Sequence, residues 1–386
     1  MIQPGDNTPA PYYFDWAATA IPEPGFLPEA FPWGNPSSLH GEGRKAREAL
    51  ENARSRCAAV LGVPAKHIYF TSGGTESNAL VIYSSLLRKP QVTVLASGVE
   101  HSSVLENCAI LERMGRQTGT IGVEKDGRVS VHTLERALEK YSGARLVAIM
   151  GVNNETGAVM DMASLRALLR NREGPPVHLH CDLVQGIGKI PLDLSLWDVD
   201  SASFSAHKLG GPRGIGLLYL RKPLDVLYTG GGQEGGIRPG TENTSGALAL
   251  ASCLEKRAAP EIVKAEYREA CCRWKGLIGA FKALKRCTLI PGDREEEDPR
   301  FSPWILQAAF EGIPGEVMVR ALDDEGFAIS TGSACSSAGR DRPVLAAMGI
   351  DAQRSFEGIR ISQGWSTTAE EIDLLVGAVK RILRFL

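Results

Sequence analysis

Several short stretches of this sequence carry residue types that can do chemistry together. Ser205-Ala206-His207-Lys208 follows a strand-like run, Ser201 to Phe204, and precedes the Gly210-Gly211-Pro212 turn. A lysine there can act as a Schiff-base amine if desolvation and cationic neighbours lower its pKa; the alternative is an ordinary solvated loop lysine. Upstream, Asp182 ends the apolar run His178-Leu179-His180-Cys181-Asp182. A carboxylate at the C-terminal end of a strand points into the crevice where α/β sheets bind ligands, and it can keep a pyridine nitrogen protonated; otherwise it caps the following segment. Gly73-Gly74-Thr75 lies at a strand-to-helix turn, where free amide groups and the helix dipole favour a phosphate or simply a capped helix. It is not a P-loop, because no Lys-Ser/Thr follows the second glycine.

Three more residues join this set by type and surroundings. Cys335 sits in Ser330-Thr331-Gly332-Ser333-Ala334-Cys335-Ser336-Ser337-Ala338-Gly339, a small and polar stretch unlike a core position. Such a loop can carry a reactive thiol between a buried cofactor and an outside acceptor. Arg360, in Gly358-Ile359-Arg360-Ile361-Ser362, is an arginine on an apolar strand. It suits either a substrate carboxylate held bidentately or a structural ion pair. His101, in Val99-Glu100-His101-Ser102-Ser103, can stack on a flat ring and carry protons, or be structural.

The elements that would position these residues are legible as a rhythm. Arg44 to Leu61 reads as an amphipathic helix closed by Gly62 and Pro64, and His67 to Thr71 as a short strand followed by a helix through Leu86. Val92 to Ala96, Leu146 to Met150 and Val177 to Cys181 are apolar runs bounded by turn residues, and helical stretches near 102–115, 131–141 and 161–171 lie among them. Further strands are expected near 201–205 and 215–220. This alternation predicts an α/β fold with a mostly parallel, doubly wound sheet. After the glycine-rich stretch Gly230 to Gly240, a long helical region reaches about residue 288. The charged run Asp293 to Arg300 reads as a solvated loop, and an amphipathic helix starting at Ala369 ends the chain.

Bulk properties set limits. The chain has 386 residues, 43% hydrophobic and 23% charged, which suits one large α/β domain plus a smaller one. A net charge of −2 gives no field to draw it to nucleic acid or an anionic membrane, and no apolar run approaches a bilayer span. The eight cysteines are scattered, without CxxC pairs or zinc spacing, so no metal site and no disulfide frame is expected. The polar, proline-rich N-terminus lacks a signal peptide's basic and apolar regions, and a cytoplasmic location is the expectation.

Taken together, the motifs resemble the cysteine desulfurases, in the class V aminotransferase group of fold-type I pyridoxal-phosphate enzymes. The likeness runs from Asp15-Trp16-Ala17-Ala18-Thr19 to the final helix. It includes Gly34-Asn35-Pro36-Ser37-Ser38-Leu39-His40, Thr71 to Asn78, Glu100-His101-Ser102 and Val152-Asn153-Asn154-Glu155-Thr156-Gly157. Ser203 to Lys208, Gly240-Thr241-Glu242-Asn243, Gly332 to Cys335 and Ile359 to Ser362 complete it. The resemblance implies a large cofactor-binding domain over residues 20–255. Residues 1–19 and 256–386 would form a smaller α+β domain carrying the reactive cysteine and the substrate arginine.

It also implies roles. Lys208 would hold pyridoxal 5'-phosphate, His101 would stack on its ring, and Asp182 would pair with the ring nitrogen. Gln185 and Asn154 would lie near the phenolic oxygen. Gly74, Thr75, Ser205 and His207 would hold the phosphate, with Thr241 reaching in from the partner subunit of a homodimer. Arg360, Asn35 and Asn154 would bind the carboxylate of L-cysteine, and Cys335 would accept the sulfur, leaving alanine. The cysteine loop resembles that of desulfurases supplying iron–sulfur scaffold proteins or tRNA thiolation.

Some positions depart from the usual pattern. They are Trp16, Gly235 in place of an arginine, Pro239 in place of a serine, Gln363-Gly364-Trp365, and a loop from Cys335 to Val344 one residue short. Selenocysteine lyase and cysteine-sulfinate desulfinase chemistry on the same scaffold is the nearest alternative. A non-catalytic sulfur-assembly subunit is a more distant one.

Overall fold

The computed structural model describes residues 12–26, 32–332 and 342–385. Its strands, in chain order, are β1 (Tyr12–Tyr13), β2 (Ile68–Thr71), β3 (Thr93–Ser97), β4 (Thr118–Ile121), β5 (Ala144–Ala148) and β6 (His178–Asp182). They continue as β7 (Ser201–Ser205), β8 (Gly216–Leu220), β9 (Cys287–Ile290), β10 (Ile305–Phe310), β11 (Phe327–Ala328) and β12 (Gly358–Ser362). Seven of them form one sheet in the order β2-β8-β7-β6-β5-β3-β4. Strands β4, β3, β5, β6 and β7 are parallel, while β8 is antiparallel to both β7 and β2. Strands β3, β5 and β8 are largely Val, Leu and Ala and buried throughout apart from Arg145, as a sheet covered by crossover helices requires. A separate antiparallel sheet, β12-β10-β9, carries the C-terminal elements.

Helix α1 (Gly41–Leu61) begins at His40, whose ring accepts the N–H of Gly43, and ends at Gly62 in the left-handed region. Helix α2 (Gly74–Ser84) starts directly after β2, and helix α3 (Ser102–Arg113) follows β3. Because β2, β3, β6 and β7 point the same way, the segments leaving them gather at one edge of the sheet. That edge is where open α/β sheets collect ligands.

The N-terminal segment crosses from the small sheet to this edge. Tyr12 and Tyr13 pair with β11, Phe14 accepts from the N–H of Ser362 at 2.7 Å, and Ala20 donates to His207 at 3.0 Å. Trp16 is buried in this segment, edge-on to Trp365. A methyl group at Gly364 would overlap the Trp16 indole, so these two unusual positions fit each other.

Three expectations need correction. The helical region thought to reach residue 288 is two helices, Thr244–Ala258 and Pro260–Lys282, followed by β9. Pro260 opens the second helix because it lacks an N–H, which only the first turn tolerates. Strand β4 was not anticipated: Thr118-Gly119-Thr120-Ile121 is short, mostly half-buried, and at the sheet edge. The run from Asp293 to Arg300 is a loop, yet Arg294 is buried and donates to the carbonyls of Thr156, Ile305 and Ser302 at 3.0, 2.8 and 3.0 Å.

The glycine-rich stretch is tied to α1 and β2 by a buried pair. Glu234, a non-glycine residue at φ 48°, accepts from Arg54 Nη1 and Nη2, each at 2.8 Å, and from the N–H of Phe70 at 2.7 Å. Removing Glu234 leaves the buried Arg54 guanidinium, among the described residues, with only the exposed Glu51 carboxylate, at 3.1 Å, as counter-charge. Glu234→Ala is therefore expected to cost about 3–5 kcal/mol, read as a lower denaturant midpoint in urea; a loss under about 1 kcal/mol would contradict the buried pairing.

Candidate active site

A cavity of about 280 Å³ opens at the C-terminal edge of the large sheet. It brings together Gly74, Thr75, His101, Asn154, Asp182, Gln185, Ser205, His207, Lys208 and Arg360, joined by Ala17, Ala18 and Met150. The expected residues meet here from the ends of β2, β3, β5, β6 and β7 and from β12 of the small sheet. Asn35 and Thr241 are exposed and do not line the cavity. Cys335 lies outside the described residues.

Lys208 leaves the short turn after β7, and its Nζ donates to the carbonyls of Ala17 and Ala18 at 2.7 Å each. Burial, with Arg360 nearby, pushes its amine down from 10.5 to about 8. His207 is lowered to about 4, chiefly by burial, and its Nδ1 lies 3.2 Å from the Thr19 hydroxyl. It is therefore neutral at pH 7 and offers hydrogen bonds rather than charge.

Asp182 is buried at the end of β6. One carboxylate oxygen accepts the Val184 N–H at 2.9 Å and the other accepts Asn78 Nδ2 at 2.8 Å. The first bond caps the turn, so the capping role and exposure to the cavity coexist in one side chain. His101 is the N-cap of α3, and burial lowers its pKa. Beside it, Glu100 accepts from Ser97 Oγ at 2.5 Å and Met150 N at 2.7 Å through one oxygen; the other is buried without a partner. Burial pushes Glu100 up to about 8, so its carboxyl is protonated at neutral pH.

Gln185 donates to the Ala17 carbonyl and accepts from Lys189 Nζ, both at 2.8 Å. Arg360, on β12, is held by Asp15 at 2.7 Å and by the Asn154 carbonyl at 3.1 Å. Its Nε and the Asn154 Oδ1 are buried without partners. Asp15 and Arg360 are 345 residues apart in sequence, and nothing in the local pattern announces the pair.

This donor set suits pyridoxal 5'-phosphate. The first turn of α2 has no side-chain cap, leaving amide groups free for an anion. A methyl group at Gly74 would press within 2.6 Å of Val184, so only glycine lets the turn sit this close to the segment after Asp182. A buried carboxylate, a poorly solvated amine and orphaned polar atoms at Asn154 and Arg360 complete a site that lacks its ligand's hydrogen bonds. Among the described residues no cluster of His, Cys, Asp or Glu is placed to hold a metal ion. Nor is any helix there long and apolar enough to cross a membrane.

Known proteins agree with this architecture. Residues 12–375 match the family model for aminotransferase class-V. A "NifS/IcsS protein homolog" from Lactobacillus delbrueckii subsp. bulgaricus is 39% identical, with 96% of each chain covered. "Cysteine desulfurase IscS" of Salmonella paratyphi C is 36% identical over 96% of this chain and 92% of that one. A solved "NIFS-LIKE PROTEIN" superposes with a TM-score of 0.86 at 33% identity, covering 97% of this chain and all of that one. With the family model spanning nearly the whole chain and these relatives matching end to end, the chain belongs to the class-V aminotransferase family, in its NifS/IscS-type cysteine desulfurase branch.

Proposed function

We propose that this protein binds pyridoxal 5'-phosphate on Lys208, removes sulfur from L-cysteine, and passes it through Cys335 to an acceptor protein. The observation that carries the reading is a half-buried lysine, lowered to about 8, sharing one cavity with a buried carboxylate and an uncapped helix N-terminus. When bound, the cofactor supplies an electron sink that acidifies the Cα–H of an attached amino acid and labilises its Cβ substituent.

The chain's own residues do the rest. The free amides of α2, with Thr75, Ser205 and neutral His207, give hydrogen bonds to a phosphate. Asp182 would hold a ring nitrogen protonated, and His101 would cover a ring face. Gln185 is fixed by Lys189, so its Nε2 and Oε1 roles are set. Arg360 and Asn154 offer the unpartnered atoms a substrate carboxylate needs, and that carboxylate competes with Asp15 for the guanidinium. Lys208, neutral above about pH 8, can take a proton from the substrate's Cα.

In the net reaction the Cβ–S bond breaks and an S–S bond forms on Cys335. The cysteine carbon gains hydrogen, giving alanine. We take residues 20–255 as the cofactor-binding domain, with 1–19 and 256–386 as the smaller one. We further assign a homodimer, in which exposed Thr241 serves the partner's site, and a reducing, cytoplasmic setting for the thiol chemistry. Iron–sulfur assembly or tRNA thiolation is the destination of the sulfur.

The test is direct. The protein with added pyridoxal 5'-phosphate should release alanine and sulfur from L-cysteine in equal amounts; no alanine would end the reading. Its pH dependence has a fixed sign. Lys208 is protonated below about 8 and must be neutral to react. Capture of the cofactor by cofactor-free protein should therefore quicken as pH rises toward about 8 and level off above it, followed by absorbance. Stability follows the same shift. Between about 8 and 10.5 the folded protein loses this proton while the unfolded chain keeps it, so this group's contribution favours folding more as pH rises.

A further inference from the structure

Behind the cavity a line of buried polar side chains runs away from Asp182, and the steps above do not use it. Asn78, fully buried in α2, donates through Nδ2 to Asp182 Oδ2 and to Ser103 Oγ, both at 2.8 Å. Its Oδ1 lies 2.9 Å from His180 Nε2. His180, fully buried on β6, meets the Ser201 hydroxyl through Nδ1 at 2.8 Å, and the same hydroxyl lies 2.8 Å from His178 Nε2. Ser203 Oγ stands 3.4 Å from His180 Nε2. On the other branch, His101 Nδ1 faces both the Ser103 hydroxyl at 2.8 Å and the Ser103 N–H at 3.1 Å.

The direction of every bond follows from groups that have no choice. An ionised carboxylate only accepts, so Asn78 must turn its NH₂ to Asp182 and its oxygen to His180. His180 then carries its proton on Nε2. Burial lowers His180 to about 3, so it holds one proton only, and Nδ1 accepts from Ser201. The Ser201 oxygen in turn accepts from His178 Nε2–H. A backbone N–H only donates, so His101 Nδ1 is unprotonated and its proton sits on Nε2. Donors therefore point toward Asp182 from His178 through Asn78, and on the other branch from Asn78 through the Ser103 hydroxyl to His101 Nδ1. The other titratable groups acting on this pair are Lys208 and Glu155 on His101, and Glu100, His180 and Cys181 around Asp182.

We propose that Asn78 is a positioning residue that joins the Asp182 carboxylate and the His101 ring into one hydrogen-bonded unit, giving Asp182 Oδ2 a fixed donor and holding His101 as the Nε2–H tautomer. The proposal rests on the reading of the cavity as a pyridoxal-phosphate site. Asn78→Asp is the informative change, because it keeps the shape and the acceptor toward His180 but removes both donors and adds a like charge beside Asp182.

Two measurements test it. Nitrogen-15 spectra of histidine-labelled, cofactor-free protein should show His101 and His180 with protonated Nε2 and bare Nδ1. Binding of pyridoxal 5'-phosphate across pH should weaken about ten-fold in Asn78→Asp, with its acidic midpoint raised by about one pH unit. A proton found on Nδ1 of either ring overturns the proposal, as does a folded Asn78→Asp protein with unchanged affinity and midpoint. If that variant does not fold, Ser201→Ala decides. It should shift the His180 resonances and weaken binding about three-fold, as expected for losing one neutral hydrogen bond, and no change would overturn the proposal. Wild-type protein that binds no pyridoxal 5'-phosphate would instead sink the functional reading, while the spectra would still judge the tautomers.

Discussion

Lys208→Ala is expected to abolish turnover of L-cysteine, a fall of about 10⁴-fold or more, while leaving a folded protein. Among the described residues it is the lysine that lines the cavity, and two backbone carbonyls hold its amine. Lys189, a buried lysine nearby, is lowered to about 7 but is engaged by Gln185, so it is not a ready substitute. Removing Lys208 also removes a charge that the fold disfavours, so the melting temperature should hold or rise slightly. The decisive readout is mass spectrometry after borohydride reduction, which should fix the cofactor to wild-type protein and not to the variant. Residual turnover within about ten-fold of wild type would remove Lys208 from the chemistry.

Cys335→Ala should lower sulfide release from L-cysteine by about 100-fold or more while cofactor binding stays unchanged. Cys335 is outside the described residues, and none of the other seven cysteines lines the cavity. Burial pushes Cys57, Cys108, Cys253 and Cys287 up to about 12, and Cys181 is raised as well. Those thiols are almost never thiolates near neutral pH, and the thiolate is the form that attacks sulfur. Incubation with cysteine should add one sulfur to the Cys335 peptide of the wild type. Selenide release from selenocysteine surviving in the variant, with sulfide release equally intact, would favour a lyase in which this thiol is idle.

How much the sequence foretells depends on how local the physics is. Strands β6, β7 and β8 fall within one residue of their expected places, because apolar runs bounded by glycine, proline and aspartate are set by their own composition. β4 is missed because an edge strand with one buried residue has neither an apolar run nor alternation. Residues at the ends of parallel strands, such as Asp182, Ser205 and Lys208, are legible because topology alone sends them to one rim. Asn78, His180 and Asp15 are not, since their partners are fixed by register and by contacts across 102 to 345 residues of chain. The buried Arg294 is hidden in the same way: it sits in a charged run, and only the fold reveals the carbonyls that surround it.

The indole of Trp16 occupies the space into which any side chain at position 364 would grow. The two sites are thus mutually exclusive for bulk, and the order in which they change matters. A chain can acquire a larger residue at 364 only after position 16 has shrunk. The reverse order forces an overlap at the segment whose next two carbonyls grip Lys208. Gly364→Leu alone should therefore fail to fold stably, whereas Gly364→Leu combined with Trp16→Ala should be tolerated.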